Sequence, residues 1–298
     1  MKRKCSFLLL GLLVSLCVNA QEFSVWGGGG VSGFTYDIAN STNNKQFGFQ
    51  AGVGYTMYIG SKFGVNIGAE IASYRGKGRL ADGDSTSYYS FPATDNHMTP
   101  TDFECRVYTE GYEEKQQAYY INVPILLQFQ VPDRGTTSFF AQAGVKMGIP
   151  ISNSFKVYAN SLSMSGYYDA WNAVIGSPTY HGFGTVNDFN YEGKYELDLS
   201  VSLSAESGVQ FLLWDIWRLY VGAYIDYGLN NIKKEKKGAT LVTYDPSALP
   251  SQGDGMFTLT DDVKLLSYGM KVRVGIGERA GRPVVIKKRS TRLRRVYL

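Results

Sequence analysis

The chain has little cysteine, little histidine and little charge. Two of its three cysteines fall in the first twenty residues, which leaves Cys105 alone. A lone cysteine closes no intrachain disulfide, so Cys105 reads as a spectator in a loop. The two histidines, His97 and His181, are far apart in sequence and with one cysteine form no metal-ligand spacing. No metal or other cofactor is expected. Beyond the N-terminus no apolar run approaches the roughly 18 consecutive residues of a transmembrane helix. Charged residues make up only 19% of the chain, whereas aromatics reach 14% and glycine 34 of 298 residues. That balance suits a sheet with one face against lipid and a tightly packed opposite face.

The clearest pattern runs from Ala118 to Ser152. In its first half Tyr119, Ile121, Val123, Ile125, Leu127, Phe129 and Val131 alternate with positions that include Asn122, Gln128 and Gln130. In its second half Phe139, Ala141, Ala143, Val145, Met147, Ile149 and Ile151 alternate with Gln142, Gly144, Lys146 and Gly148. A period of two means strands with two different faces. The break between them, Pro-Asp-Arg-Gly-Thr, is turn chemistry. Each strand is longer than the usual five or six residues and long enough for the roughly 9–11 residues that cross a bilayer at a tilt.

The same alternation recurs along the chain. Strands are expected over 45–60, 63–74, 194–214, 219–229 and 263–276, with a first one over 22–36 whose faces are blurred by Gly27 to Gly30. With the hairpin this makes eight. The breaks alternate between long polar segments and tight turns, as in transmembrane barrels with an even strand number. The outward positions of strands two to eight carry no charge. Among the inward ones are Glu70, Lys146, Asp198, Glu206, Asp226, Lys271 and Arg273. A Lys or Arg facing lipid at mid-membrane costs about 2–4 kcal/mol, whereas a soluble barrel would carry its charge outside. Trp214, Trp217, Phe63 and Phe139 fall at turn edges, as an interfacial aromatic girdle would. Pro124 and Pro150 lie within strands, where a missing N–H calls for a bulge or a rim position. A bulge is expected near Pro124 and a rim position for Pro150. The expected fold is therefore all-β, an eight-stranded antiparallel up-and-down transmembrane β-barrel. Ten strands remain an alternative if Ser154 to Tyr168 adds a hairpin.

Residues 1–20 read as a cleaved signal peptide: Lys2, Arg3 and Lys4, an apolar stretch from Phe7 to Val18, then Val18-Asn19-Ala20. Cys17 would serve a lipoprotein signal, but Leu16 is bulky where that signal wants a small residue. The barrel is assigned to 21–276 and a basic periplasmic tail to 277–298, with both termini periplasmic and the protein in the outer membrane. The tail holds Arg279, Arg282, Lys287, Lys288, Arg289, Arg292, Arg294 and Arg295 against Glu278 alone, while 21–276 carries 19 Lys+Arg against 25 Asp+Glu. The tail reads either as a solvated end or as an arm that docks on an acidic periplasmic or envelope protein, or on lipid phosphates. Nucleic acid is not expected in that compartment.

Two runs of residues carry a resemblance. Tyr120-Ile121-Asn122-Val123-Pro124-Ile125-Leu126-Leu127, followed by Ala143-Gly144-Val145-Lys146-Met147-Gly148-Ile149-Pro150, resembles the PorT-like small outer-membrane barrels of Bacteroidota. Ser267-Tyr268-Gly269-Met270-Lys271-Val272-Arg273-Val274 is similar to the assembly signal of last barrel strands, although both sites where an aromatic is usual hold valine. The resemblance implies an outer-membrane barrel and, through the family's namesake, an association with protein export.

The inward charges Glu70, Lys146, Glu206, Asp226, Lys271 and Arg273 form a lumen polar network. An eight-stranded interior is just filled by side chains, so a salt-bridged plug is set against a gate or narrow porin-like channel. Catalysis has less to stand on: His97 with Asp95 or Asp102 is the one loop dyad suggested, for a hydrolase. Tyr88, Tyr89, Tyr108, Tyr112, Tyr158, Tyr167, Tyr168 and Tyr180 lie in the long segments. They serve either as a partner-binding surface or as packing between loops that extend the sheet. The leading expectation is a non-enzymatic surface or envelope protein that acts by binding and sits among outer-membrane lipids.

Overall fold

A computed structural model describes residues 21–83, 88–95, 100–131, 136–214, 216–236 and 238–278. It contains β1 (Gln21–Thr35), β2 (Ser41–Ile59), β3 (Phe63–Leu80), β4 (Tyr89–Asp95), β5 (Thr101–Glu110), β6 (Glu113–Gln130), β7 (Thr137–Tyr168), β8 (Ala173–Ile175), β9 (Gly184–Gly193), β10 (Ser200–Leu212), β11 (Trp217–Gly228) and β12 (Lys264–Glu278). Eight of them close a ring in the order β1, β2, β3, β6, β7, β10, β11, β12 and back to β1, every pair antiparallel. Closure leaves the ring without a sheet edge, which is what permits its strands to stand in lipid.

Within the ring the two faces are opposite in character. Phe23, Val25, Phe49, Val53, Ile67, Ile125, Leu127, Val145, Met147, Leu203, Ile225, Met270 and Val272 are exposed on the outside. Glu22, Gln50, Glu70, Asn122, Gln128, Lys146, Glu206, Asp226, Lys271 and Arg273 are buried inside. No helix is long and apolar enough to cross a membrane; the crossing is made by strands. Trp214, Trp217, Phe63 and Phe139 are exposed near the short-turn end.

At the other end the strands outgrow the apolar belt and build a second layer of structure, the head. β7 alone is 32 residues long. One of its edges is taken first by β6 and then, in unbroken register past Gly111, by β5. Gly111 has φ +62°, and a Cβ there would collide with the Asn160 side chain at 2.5 Å. A glycine is therefore what lets β5 and β6 share one ladder. The other edge of β7 is taken by β10 and then, again in one register, by β9. β4 hangs on β5, and β8 on the tip of β7.

These pairings correct several sequence expectations. The stretch from Ser154 to Tyr168 adds no hairpin to the ring, because it continues β7 and recruits β5, β8 and β9 outside the ring. The strand expected from Lys194 begins at Ser200, since 194–199 is the gap between β9 and β10, where Leu197 bridges Lys233 instead. Asp198 is accordingly exposed at the rim, its carboxylate accepting from the Leu199 N–H at 2.7 Å. The bulge falls at Tyr119/Tyr120, opposite Pro150, and not near Pro124. Pro124 pairs Lys146 in register and on its other side leaves two rungs of the β3–β6 ladder unmade without a slip. A missing N–H there only drops hydrogen bonds.

Candidate functional site

All six residues of the sequence-derived network lie inside the ring, each at most 4% exposed. Lys146, on β7, is the hub of its upper tier. Its Nζ lies 2.9 Å from Glu70 Oε1 and 2.9 Å from Asp226 Oδ2, and donates to Gln50 Oε1 at 3.1 Å. Glu70 also accepts from Trp26 Nε1 at 2.9 Å and from Asn122 at 3.3 Å. In the middle tier Lys271 pairs Glu206 at 3.2 Å, and Gln142 donates to the same Glu206 oxygen at 2.6 Å. Arg273 donates to Gln142 Oε1 at 3.3 Å and lies over the Tyr220 ring at 4.1 Å.

Two members of the lumen were not legible in the sequence. Glu22 and Arg218, both almost fully buried, pair at 3.0 Å near the short-turn end. Tyr58 and Tyr220 donate to the same Glu22 carboxylate, at 3.1 and 2.8 Å. Glu22 was missed because the alternation of Phe23 and Val25 with Glu22, Ser24 and Trp26 is short and stops at Gly27 to Gly30. Arg218 was hidden because it sits one residue inside a tight turn; only its phase with Tyr220 and Tyr224 marks it as inward. With this pair the described lumen holds four acids, Glu22, Glu70, Glu206 and Asp226, against four bases, Lys146, Arg218, Lys271 and Arg273. The gap left among Glu70, Lys146, Glu206, Lys271 and Arg273 is a cavity of about 10 Å³, room for on the order of one water molecule.

The long-loop end is also closed. Tyr74 and Tyr120 meet edge to face at 5.7 Å. Near them Phe155, Tyr195 and Phe257 stack at centroid distances of 4.4 and 4.0 Å, and Phe34 meets Phe257 at 5.3 Å. Phe257 comes from the connection between β11 and β12, which folds inward with Leu241, Val242 and Met256 buried. Glu114 anchors this lid. Its carboxylate accepts from Met256 N at 2.8 Å, Gln116 Nε2 at 2.9 Å, Tyr112 OH at 3.1 Å and Tyr195 OH. Glu114 lies beyond the apolar belt, next to outward Lys115, and burial pushes its carboxyl above the usual range.

The remaining candidates fall as follows. Cys105 is not in a loop: it is fully buried on β5, and burial pushes its thiol up to about 12. His97, the Tyr180 side chain and the basic tail from Arg279 to Arg295 lie outside the described residues. Asp95, expected near His97, instead has His181 Nδ1 3.4 Å from its Oδ2, while Asp102 accepts from Thr94 at 2.7 Å. Tyr112 and Tyr168 are core residues of the head. Tyr88 and Tyr167 sandwich Arg106, at 4.5 and 4.2 Å from their ring centres, so much of the loop tyrosine packs the sheet extension. Tyr158 is exposed. At the tip Trp171 is 61% exposed and Val174 53%. Among the described residues no group of His, Cys, Asp and Glu is arranged to hold a metal.

An apolar outer wall, a charged interior and a closed ring together mark a membrane barrel. The family model of the outer membrane protein beta-barrel domain matches residues 14–234, well over half of the chain. The chain belongs to this outer-membrane β-barrel family. Solved structures similar to it include the Neisserial surface protein A, NspA (9% identity, 85% of this chain and 96% of that one, TM-score 0.34). Others are OprG of Pseudomonas aeruginosa (13%, 88% and 98%, TM-score 0.36) and Ail, the attachment invasion locus protein of Yersinia pestis (12%, 86% and 99%, TM-score 0.32). No curated protein is similar enough in sequence to count as a relative.

Proposed function

We propose that this outer-membrane barrel is a non-enzymatic surface protein that acts by binding, with the ring as an anchor and the head as the working part. The observation that carries this reading is the contrast between a filled lumen and an ordered head with apolar side chains at its tip. Four buried acids balanced by four buried bases and a gap of about 10 Å³ leave conduction little room, which argues against the narrow-channel alternative. A hydrogen-bonded sheet extension that carries Trp171, in the turn after β7, and Val174, on β8, at its tip offers a preformed surface, which lowers the ordering entropy of contact with a partner. In the proposed orientation the short turns and both termini are periplasmic and the head is extracellular, as short-turn and long-loop ends are placed in barrels of known topology. The PorT-like resemblance favours an envelope partner connected with export, and the basic tail favours a second, acidic partner on the periplasmic side.

Photo-cross-linking from the native membrane tests this. A photoreactive residue at position 171 should trap one defined species that the same probe at Tyr158 does not trap. A chain ending at Gly277 should keep that adduct and lose any periplasmic one. Identical backgrounds from all probes would remove the binding reading.

A further inference from the structure

On the outside of the barrel, just above the apolar belt, three lysines stand side by side. Lys77 on β3 pairs Lys115 on β6, and Lys115 pairs Lys156 on β7. They occupy one rung of the sheet and point to the same outer face. Like charges directly opposite one another on neighbouring strands are destabilising. The rung below holds Arg75, Gln117 and Ser154. Together with Phe47, 67% exposed on β2, these residues line an open groove of about 470 Å³. Two carboxylates partly offset the charge: Glu113 lies 2.7 Å from Lys77, and Glu192 lies 2.9 Å from Lys156. Lys115 and Arg75 form no salt bridge among the described residues, and the Nε of Arg75 is buried without a hydrogen-bond partner.

The place of the groove says what fits it. Below it the wall is continuous apolar belt: Ile71, Ile121 and Ile149 share one rung and are all exposed. A strand rises about 3.3 Å per residue. Arg75 and Lys77 are therefore some 13–20 Å further along β3 than Ile71, or roughly 10–15 Å in height at a tilt of 35–45°. The headgroup layer of an ordinary bilayer is about 5–7 Å deep on each side. Exposed Ile151 carries the belt one outward rung above Ile149, so Arg75 lies near the level of a glycerol phosphate and the three lysines stand above it, on the wall that faces lipid.

We infer that this groove binds the headgroup of a phosphorylated glycolipid, whose phosphates are carried on sugars above the glycerol level and whose acyl chains lie on the belt below Phe47. The lysine rung supplies the countercharge, and bound phosphate relieves its cross-strand repulsion. The site is separate from the tip proposed for partner binding, and its test does not depend on which way the barrel is oriented in the membrane.

The test uses the full chain in phosphatidylcholine vesicles that contain a small fraction of fluorescent bisphosphorylated disaccharide lipid (lipid A), read by energy transfer from the protein's tryptophans. Enrichment around the barrel should fall about fivefold for each lysine lost, since a basic residue near an anionic lipid surface contributes on the order of 1 kcal/mol. Lys115→Gln alone should show one such step. The triple variant Lys77→Gln/Lys115→Gln/Lys156→Gln should fall to the level of the dephosphorylated lipid, and the triple Lys→Arg variant should retain enrichment. Heat-modified migration on gels confirms that each variant is folded. Unchanged enrichment in the triple Gln variant would overturn the inference. So would equal enrichment of the dephosphorylated lipid, or displacement by inorganic phosphate at matched concentration, which would make the site one for the free anion.

Discussion

The ring and the head are built from the same strands with opposite cores. On β6, Asn122, Gln128 and Gln130 point into the ring while Ile121, Val123, Ile125 and Leu127 face outward; a few residues earlier Lys115 and Gln117 face outward. On β7, Gln142 and Lys146 are buried in the ring, and further on Phe155, Val157, Ala159, Leu162 and Met164 are buried in the head. The strand and its register are nearly unchanged across the boundary. What changes is the solvent: lipid demands an apolar outside and leaves polar groups only the lumen, whereas water around the head restores the ordinary arrangement. The ring is therefore held by paired charges and a lipid-facing wall, and the head by aromatic packing.

The two largest expected effects break one core each. Lys146→Met leaves Glu70 and Asp226 buried without their shared cation, and should cost about 3–5 kcal/mol of ring stability in denaturant unfolding from vesicles. Replacing all three together, with Glu70→Gln and Asp226→Asn, should recover most of that loss. Phe155→Ala removes the ring that stacks on Tyr195 and meets Tyr191 edge to face and should cost a similar 3–5 kcal/mol. Its readout is new protease cleavage in the head while the ring still migrates as folded.

A charge placed on the outer face sharpens the contrast further. Ile125→Arg, in the belt, should cost about 2–4 kcal/mol. Tyr158→Arg, on the outer face of the same sheet within the head, should stay within about 0.5 kcal/mol.

A smaller effect comes from Glu114. Its pKa is raised by burial, so over the range between the ordinary carboxylate value and the raised one the folded head holds a proton that the unfolded chain has lost. Stability of the head should therefore fall as pH rises through that window and level off above it. Glu114→Gln should flatten the profile, as read by protease protection across pH. The smallest effect is chemical: with its thiol pushed up to about 12, Cys105 should resist maleimide at pH 8 until the head unfolds.

The ring was readable because lipid enforces a strict rule. An empty charge count on one face and long period-two runs are enough to assign β2, β3, β6, β11 and β12 and the inward direction of Glu70, Lys146, Glu206, Asp226, Lys271 and Arg273. The head was not readable because its strands face water and follow no such rule. Residues 75–117 and 153–193 look like polar loops, although β4, β5, β8 and β9 lie within them. Their pairing is set by β7, a template too distant in sequence for local patterns to show. Glu22 escaped notice because the alternation around Phe23 and Val25 is cut off after five residues by four glycines. Asp198 was misplaced because the alternation of β10 was carried on through a gap that only the β7 ladder reveals.

The most direct test of a sealed ring beneath a working head is planar-bilayer conductance of the purified full chain in molar KCl. A filled, charge-balanced lumen predicts no stepwise current above the lipid baseline, for the native chain and for a chain whose head has been loosened by Phe155→Ala alike. Stable unitary steps that change size with Arg273→Ala would contradict the account and make the lumen a conducting path.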